Sequence, residues 1–321
     1  MRGGRAATVP AAKEEMYTVK FKETYSNGQR PINEESPEIV FMREACKGSV
    51  RASDYFDDYT VYRQKVFLDS PNGRFEGVAG IQDFADRWLD DFEATGATVY
   101  PVIQTVANGR SVTEMEVWFE LSGGGVKRVP MVVFADLVNA SRMEGMRIYF
   151  FFKFLKNCIA YRKPIFRPGR NHWCEPVLMT GVMRYYYEQL HNFRTEEAVE
   201  NIVAMCSEGI YYGGYRPEEE EPLYQGRDAV RNIYADICTK CPGDQYVRFE
   251  TFTDDNLNMA VEWTTVVRQS ALAKGYVSFG GCAMYGRDDE GLLSSIRICD
   301  NFGYEMGIDL NSVPASEIFV D

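Results

Sequence analysis

The stretch DSPNGRFEGVAGIQDFADRW, Asp69 to Trp88, decides how this chain is read. Pro222 to Ile237, PLYQGRDAVRNIYADI, paraphrases it. Each passes from an aromatic residue through one position to a glycine, then through an apolar step into a helical run. A chain that repeats such a passage is expected to repeat a unit of structure. Further landmarks keep a near-constant spacing. Gly77 and Gly226 are 226 − 77 = 149 apart, Trp118 and Trp263 are 263 − 118 = 145 apart, and Arg147 and Arg297 are 297 − 147 = 150 apart. The implied unit is about 120 to 140 residues, a small domain.

The second unit gives the clearer order. VMRYYYEQLHNF (Val182 to Phe193) has apolar positions at helical spacing, and Thr195 with acids behind it starts a second helix. GIYYGGY and PLYQG are short strand candidates flanking the acidic loop RPEEEE, and DAVRNIYADICTKC is a third helix. YVRFETFTD, NMAVEWTTVVRQ, GYVSFGGCAMYGRD and LLSSIRICDNFG then read as strands separated by turn residues. The first unit follows suit. SPEIVFMREACKGS and ASDYFDDY are read as early helices, VYRQKVFLD as a strand and VAGIQDFADRWLDDFEAT as a helix, followed by four strands ending in GMRIYFFFKF. Helices, one strand, one more helix and a long meander predict an α+β class. The expected layout is a lead over 1–34, a first domain over 35–161, a Pro- and Gly-rich linker over 162–181, a second domain over 182–310 and a tail over 311–321.

Of the 321 residues, 45% are hydrophobic and 14% aromatic, enough to fill two cores. A net charge of −12 disfavours phosphate backbones, so nucleic acid is not an expected partner. The longest apolar run, Met146 to Tyr161, is interrupted by Arg147, Lys153 and Lys156, so no membrane partner is expected. The start of the chain has two arginines without a hydrophobic segment behind them and reads as a disordered lead, not an export signal. The eight cysteines are accordingly expected as reduced thiols of a cytoplasmic protein. Cys238 and Cys241 form a lone CxxC, a weak metal signal against an ordinary helix end before Pro242. No phosphate loop, nucleophile elbow or metal cluster is present in the sequence, so neither a cofactor nor a metal is expected.

The order helix, helix, strand, then D-S-P-x-G with a following F-x-G-x-x-x-I-x-x-F, then helix and strands ending in GMR, resembles the nuclear transport factor 2-like superfamily. Within it the ketosteroid isomerases and SnoaL-like polyketide cyclases look most similar, over most of 35–157 and 182–304. The resemblance implies two tandem cones, each a curved, mostly antiparallel sheet around about three helices, paired through their outer sheet faces as an internal pseudo-dimer. It also implies a cofactor-independent isomerase, dehydratase or cyclase acting on an apolar oxygenated molecule such as a steroid or polyketide. The alternative is a non-catalytic binding or assembly module of the same fold. Further assembly into a homo-oligomer stays open.

By this resemblance Asp69 stands near the general-base position and Tyr186 at the oxyanion-hole position, with Tyr185 as fallback. The two lie in different copies, so neither copy carries the full pattern. Glu262 and Asp300 are the remaining acid–base candidates, since each is a carboxylate in an otherwise apolar strand. Strand alternation puts Glu262 and Trp263 on opposite faces, and Asp300 aligns with Phe150 of the first copy. Trp88, Trp118, Tyr212 and Trp263 are the candidate ligand-lining aromatics. Each has a plain alternative reading. Asp69 before SPNG is also a turn former, Glu262 and Asp300 can be salt-bridged strand residues, and His191 and His172 read as structural. Glu114, Glu116 and Glu120 alternate and are expected on a wet outer face.

Overall fold

The computed structural model describes residues 21–25, 30–60, 63–151, 154–155, 179–191, 195–217, 221–240, 246–268 and 276–300. After a short helix α1 (Phe21–Tyr25), the first unit runs α2 (Pro37–Ala45), a single 3-10 turn (Ala52–Asp54), β1 (Phe67–Ser70), β2 (Gly73–Glu76), α3 (Gly77–Asp91), β3 (Ala94–Ala107), β4 (Arg110–Leu121), β5 (Val126–Leu137) and β6 (Met143–Phe150). The second runs α4 (Val182–His191), α5 (Glu196–Ala204), β7 (Cys206–Tyr212), β8 (Tyr224–Gln225), α6 (Arg227–Lys240), β9 (Tyr246–Asp254), β10 (Asn258–Arg268), β11 (Tyr276–Arg287) and β12 (Leu293–Asp300). The sheet orders are β2-β1-β6-β5-β4-β3 and β8-β7-β12-β11-β10-β9, the same order with every number raised by six. Among the described strands, β1 runs parallel to β6 and β7 parallel to β12. The fold is α+β, two tandem units of one topology.

The repeated glycine now has a physical role. Gly77 and Gly226 open α3 and α6 with φ of +73° and +90°, where a side chain would be strained. Their N–H groups donate to Val66 O and Ile210 O at 2.8 and 2.7 Å, tying each helix start to the residue that leads into β1 and to β7. Thr195 caps α5, its hydroxyl accepting from the Ala198 N–H at 3.1 Å.

Strand alternation sorts residues between two faces. On β4, Ser111, Thr113, Met115, Val117 and Phe119 point at α2 and α3, while Glu114, Glu116 and Trp118 point away. On β10, Met259, Val261 and Trp263 join the core of the second unit, while Ala260 and Glu262 face the first. The outer faces of the two sheets therefore meet, and Ala260, Cys282, Met284 and Cys299 pack into the apolar body of the first unit.

Two arginine–glutamate pairs cross this junction. Arg297 Nε and Nη2 donate to Glu114 Oε2 and Oε1 at 2.6 and 2.8 Å. Arg147 Nε and Nη2 donate to Glu262 Oε1 and Oε2 at 2.6 and 2.9 Å. The pairs are related by the repeat, since 262 − 114 = 148 and 297 − 147 = 150.

Several expectations are corrected. In the sheets β4 and β10 the repeat spacing is 148, so Trp263 corresponds to Met115, not to Trp118. ASDYFDDY forms only the 3-10 turn, and the hairpin strand β2 was not anticipated. Glu114 and Glu116 are buried, because the second unit covers one and α1 approaches the other, whereas Glu120 is exposed. Apart from these corrections, the stretch expected as a lead carries α1, whose Phe21 and Tyr25 are buried and reach the second unit through Tyr215 and Gly213. The linker lies outside the described residues except for 179–181, and the tail lies wholly outside them. Among the described residues no helix is long and apolar enough to cross a membrane.

Candidate functional site

The interiors of the two cones differ. One end of the first cone is closed by aromatic rings. Phe92 stacks on Phe119 with centroids 3.9 Å apart, and Trp88 lies against Phe84, Phe92, Phe119 and Phe150. The opposite end is polar. Glu38, on α2, is fully buried and its Oε1 accepts from Gln104, Ser111 and Thr113. Glu38 was missed by the sequence reading, yet a signal existed. It begins the stripe Glu38, Phe41, Met42, Ala45 that turns α2 toward the core, and a carboxylate on an apolar stripe is a marker in itself.

The second cone gathers tyrosines. The hydroxyls of Tyr186 on α4 and Tyr234 on α6 hydrogen-bond to one another, and Tyr285 on β11 packs beside Tyr186. The Tyr285 ring lies 5.0 Å from the Tyr186 ring, and Tyr212 stands edge-on to Tyr234 at 6.3 Å. Met183, Val230, Met259, Val261 and Trp263 surround them in the same core. Burial pushes the hydroxyls of Tyr186, Tyr234 and Tyr285 well above the usual phenol range, reinforced for Tyr186 by its tyrosine neighbours. They stay protonated and so remain hydrogen-bond donors at any physiological pH.

Three of the expected site residues face outward from the cones. Asp69 is buried on β1 and grips Arg74 of β2 through both oxygens, at 2.7 and 2.6 Å. It lies in register with Arg147, so it belongs to the outer face. Glu262, besides Arg147, accepts from Tyr149 and Thr251 hydroxyls, each at 2.7 Å, in the junction between sheets. Trp118 lies on the outer face of β4, donates to Glu116 at 2.7 Å and carries the Arg128 guanidinium at 4.1 Å. Trp88 lies inside the first cone, and Tyr186, Tyr212 and Trp263 lie inside the second. Tyr185, the fallback, is exposed. Asp300 ends β12 opposite Gly281, and its side chain lies outside the described residues, as do His172, Cys241 and the side chain of His191. Among the described residues no group of three or more His, Cys, Asp or Glu is placed to hold a metal ion.

No family model matches the chain, and no curated protein matches it. Solved structures do. A nuclear transport factor 2-like protein of unknown function from Exiguobacterium sp. 255-15 is similar over 37% of this chain and 98% of its own, at 13% identity and a TM-score of 0.31. An epoxide hydrolase from M. tuberculosis is similar over 36% and 80%, at 16% identity and a TM-score of 0.27. SalBIII, an epoxide hydrolase/cyclase-like enzyme of pyran ring formation in the polyether salinomycin, is similar over 36% and 91%, at 17% identity and a TM-score of 0.28.

Proposed function

We propose that the second cone binds an apolar, oxygenated small molecule and performs cofactor-independent acid–base chemistry on it, of the isomerase, dehydratase or cyclase kind. The observation that carries this reading is the hydroxyl cluster of Tyr186, Tyr234 and Tyr285 inside an otherwise apolar core. Donors held protonated by burial suit a carbonyl oxygen that becomes an enolate, because they strengthen as charge develops in a low-dielectric site. Tyr186 is the polarising donor in this reading and Asp300 is the carboxylate that moves the carbon-bound proton. Tyr212 and Trp263 supply apolar walls. The stacked aromatic end of the first cone favours a supporting role for that half in this chemistry.

The test is deuterium exchange at the carbon beside the carbonyl of 2-tetralone in D2O, followed by NMR. The full chain is expected to accelerate exchange over buffer, with Tyr186→Phe and Asp300→Asn each slowing it at least about tenfold. Exchange no faster than buffer, with the ketone still bound, would leave the non-catalytic binding module standing instead.

A further inference from the structure

We infer that the polar end of the first cone is a second small-molecule site, in which Glu38 receives the hydroxyl of an apolar alcohol or phenol. It is independent of the reading given to the second cone. Glu38 is fully buried at the second residue of α2. Its Oε1 is crowded with donors: Ser111 Oγ at 2.5 Å, Thr113 Oγ1 at 2.8 Å and Gln104 Nε2 at 3.1 Å. Its Oε2 is equally buried and, among the described residues, has no hydrogen-bond partner. A buried acceptor without a donor is costly, and native structures rarely keep one without a use. What complements it is one further O–H on an apolar body, since Phe41 of α2 and Met115 of β4 belong to the buried core of the same cone.

The internal duplicate shows that this cluster is not a requirement of the fold. At the sheet spacing of 148, Gln104, Ser111 and Thr113 correspond to Phe252, Met259 and Val261. The stripe Glu38, Phe41, Met42, Ala45 corresponds to Met183, Tyr186, Tyr187, Leu190 at a spacing of 183 − 38 = 145. All four polar positions of the first cone are thus apolar in the second, within the same topology. A polar group kept where its twin does without one points to recognition, not architecture. The cluster also lies just beneath the surface. Gln104 donates to Ser36 Oγ at 2.7 Å and accepts from the Asn33 backbone N–H at 2.8 Å, so the segment before α2 covers it.

Phenol and toluene, which differ only in hydroxyl for methyl, test this on the full chain by NMR titration. Phenol is expected to bind at least about tenfold more tightly than toluene and to shift the Thr113 methyl resonance, assigned through Thr113→Val. Glu38→Gln is expected to bring the two Kd values within about threefold. Equal binding of phenol and toluene would overturn the proposal and leave Oε2 to a water molecule. An unmoved Thr113 signal under saturating phenol would overturn it too, and that measurement stands even where Glu38→Gln fails to fold.

Discussion

Asp136 illustrates how the outer face of the first sheet is held. Burial alone would raise its carboxyl, but the guanidiniums of Arg147 and Arg110 outweigh it and hold the group down at about 2. The unfolded chain has an ordinary carboxyl near 3.9. The ionised pair therefore contributes fully above about pH 4 and is lost as pH falls through about 2. Asp136→Asn is expected to cost on the order of 2 kcal/mol at pH 7, with the difference from wild type shrinking as pH drops from 4 toward 2. Urea unfolding at several pH values checks this, and a cost that does not change with pH would show that the ion pair is not its origin. Single residues were the hardest scale to read from sequence. Asp69 was legible as an unusual carboxylate, but its partner Arg74 was hidden because nothing in DSPNGRFE announced the short strand that sets it opposite. Glu38 was hidden by its surroundings, because in SPEIVFMREACKGS it is one of several charges on an early helix and the face it occupies depends on what the helix packs against. Glu262 was legible as facing away from Trp263, although what it faced depended on the other half of the chain.

At the scale of elements, alternation along β4, β6, β10 and β12 decides the junction. One charged residue of each of these strands, Glu114, Arg147, Glu262 and Arg297 in turn, lies on the outer face and meets its opposite from the other unit. A buried pair contributes little net stability against an apolar substitute, but a single survivor is expensive. Arg147→Met is expected to cost about 3 to 5 kcal/mol, because Glu262 is left buried with its charge. Arg147→Met with Glu262→Leu together is expected to recover part of that, because Asp136 then keeps Arg110 but not Arg147. A thermal or urea double-mutant cycle measures the difference, and additive losses would mean that the two residues are not coupled. The order of elements was largely legible, since glycine turns, a threonine cap and β-branched runs are local signals. The lengths of β3 and β4 and the reduction of ASDYFDDY to one turn were not, because they depend on pairing and packing with distant residues.

As a whole molecule, the chain is one topology written twice and then given two different interiors. Pairing through the outer faces leaves each cone free to change on its own. The first has acquired Glu38, Gln104, Ser111 and Thr113, and the second has acquired Tyr186, Tyr234 and Tyr285, whose counterparts in the first are Phe41, Ala85 and Ala135. The duplication was readable from three landmarks, yet one of them, the tryptophan pair, was in false register, so which residues answer each other across the repeat needed the sheets themselves. The most direct measurement is a crystal structure of the full chain grown with 2-tetralone. The ketone is expected inside the second cone, its oxygen about 2.7 Å from the hydroxyl of Tyr186. A ketone seated between the two sheets, or in the first cone with the tyrosine cluster left bare, would contradict it.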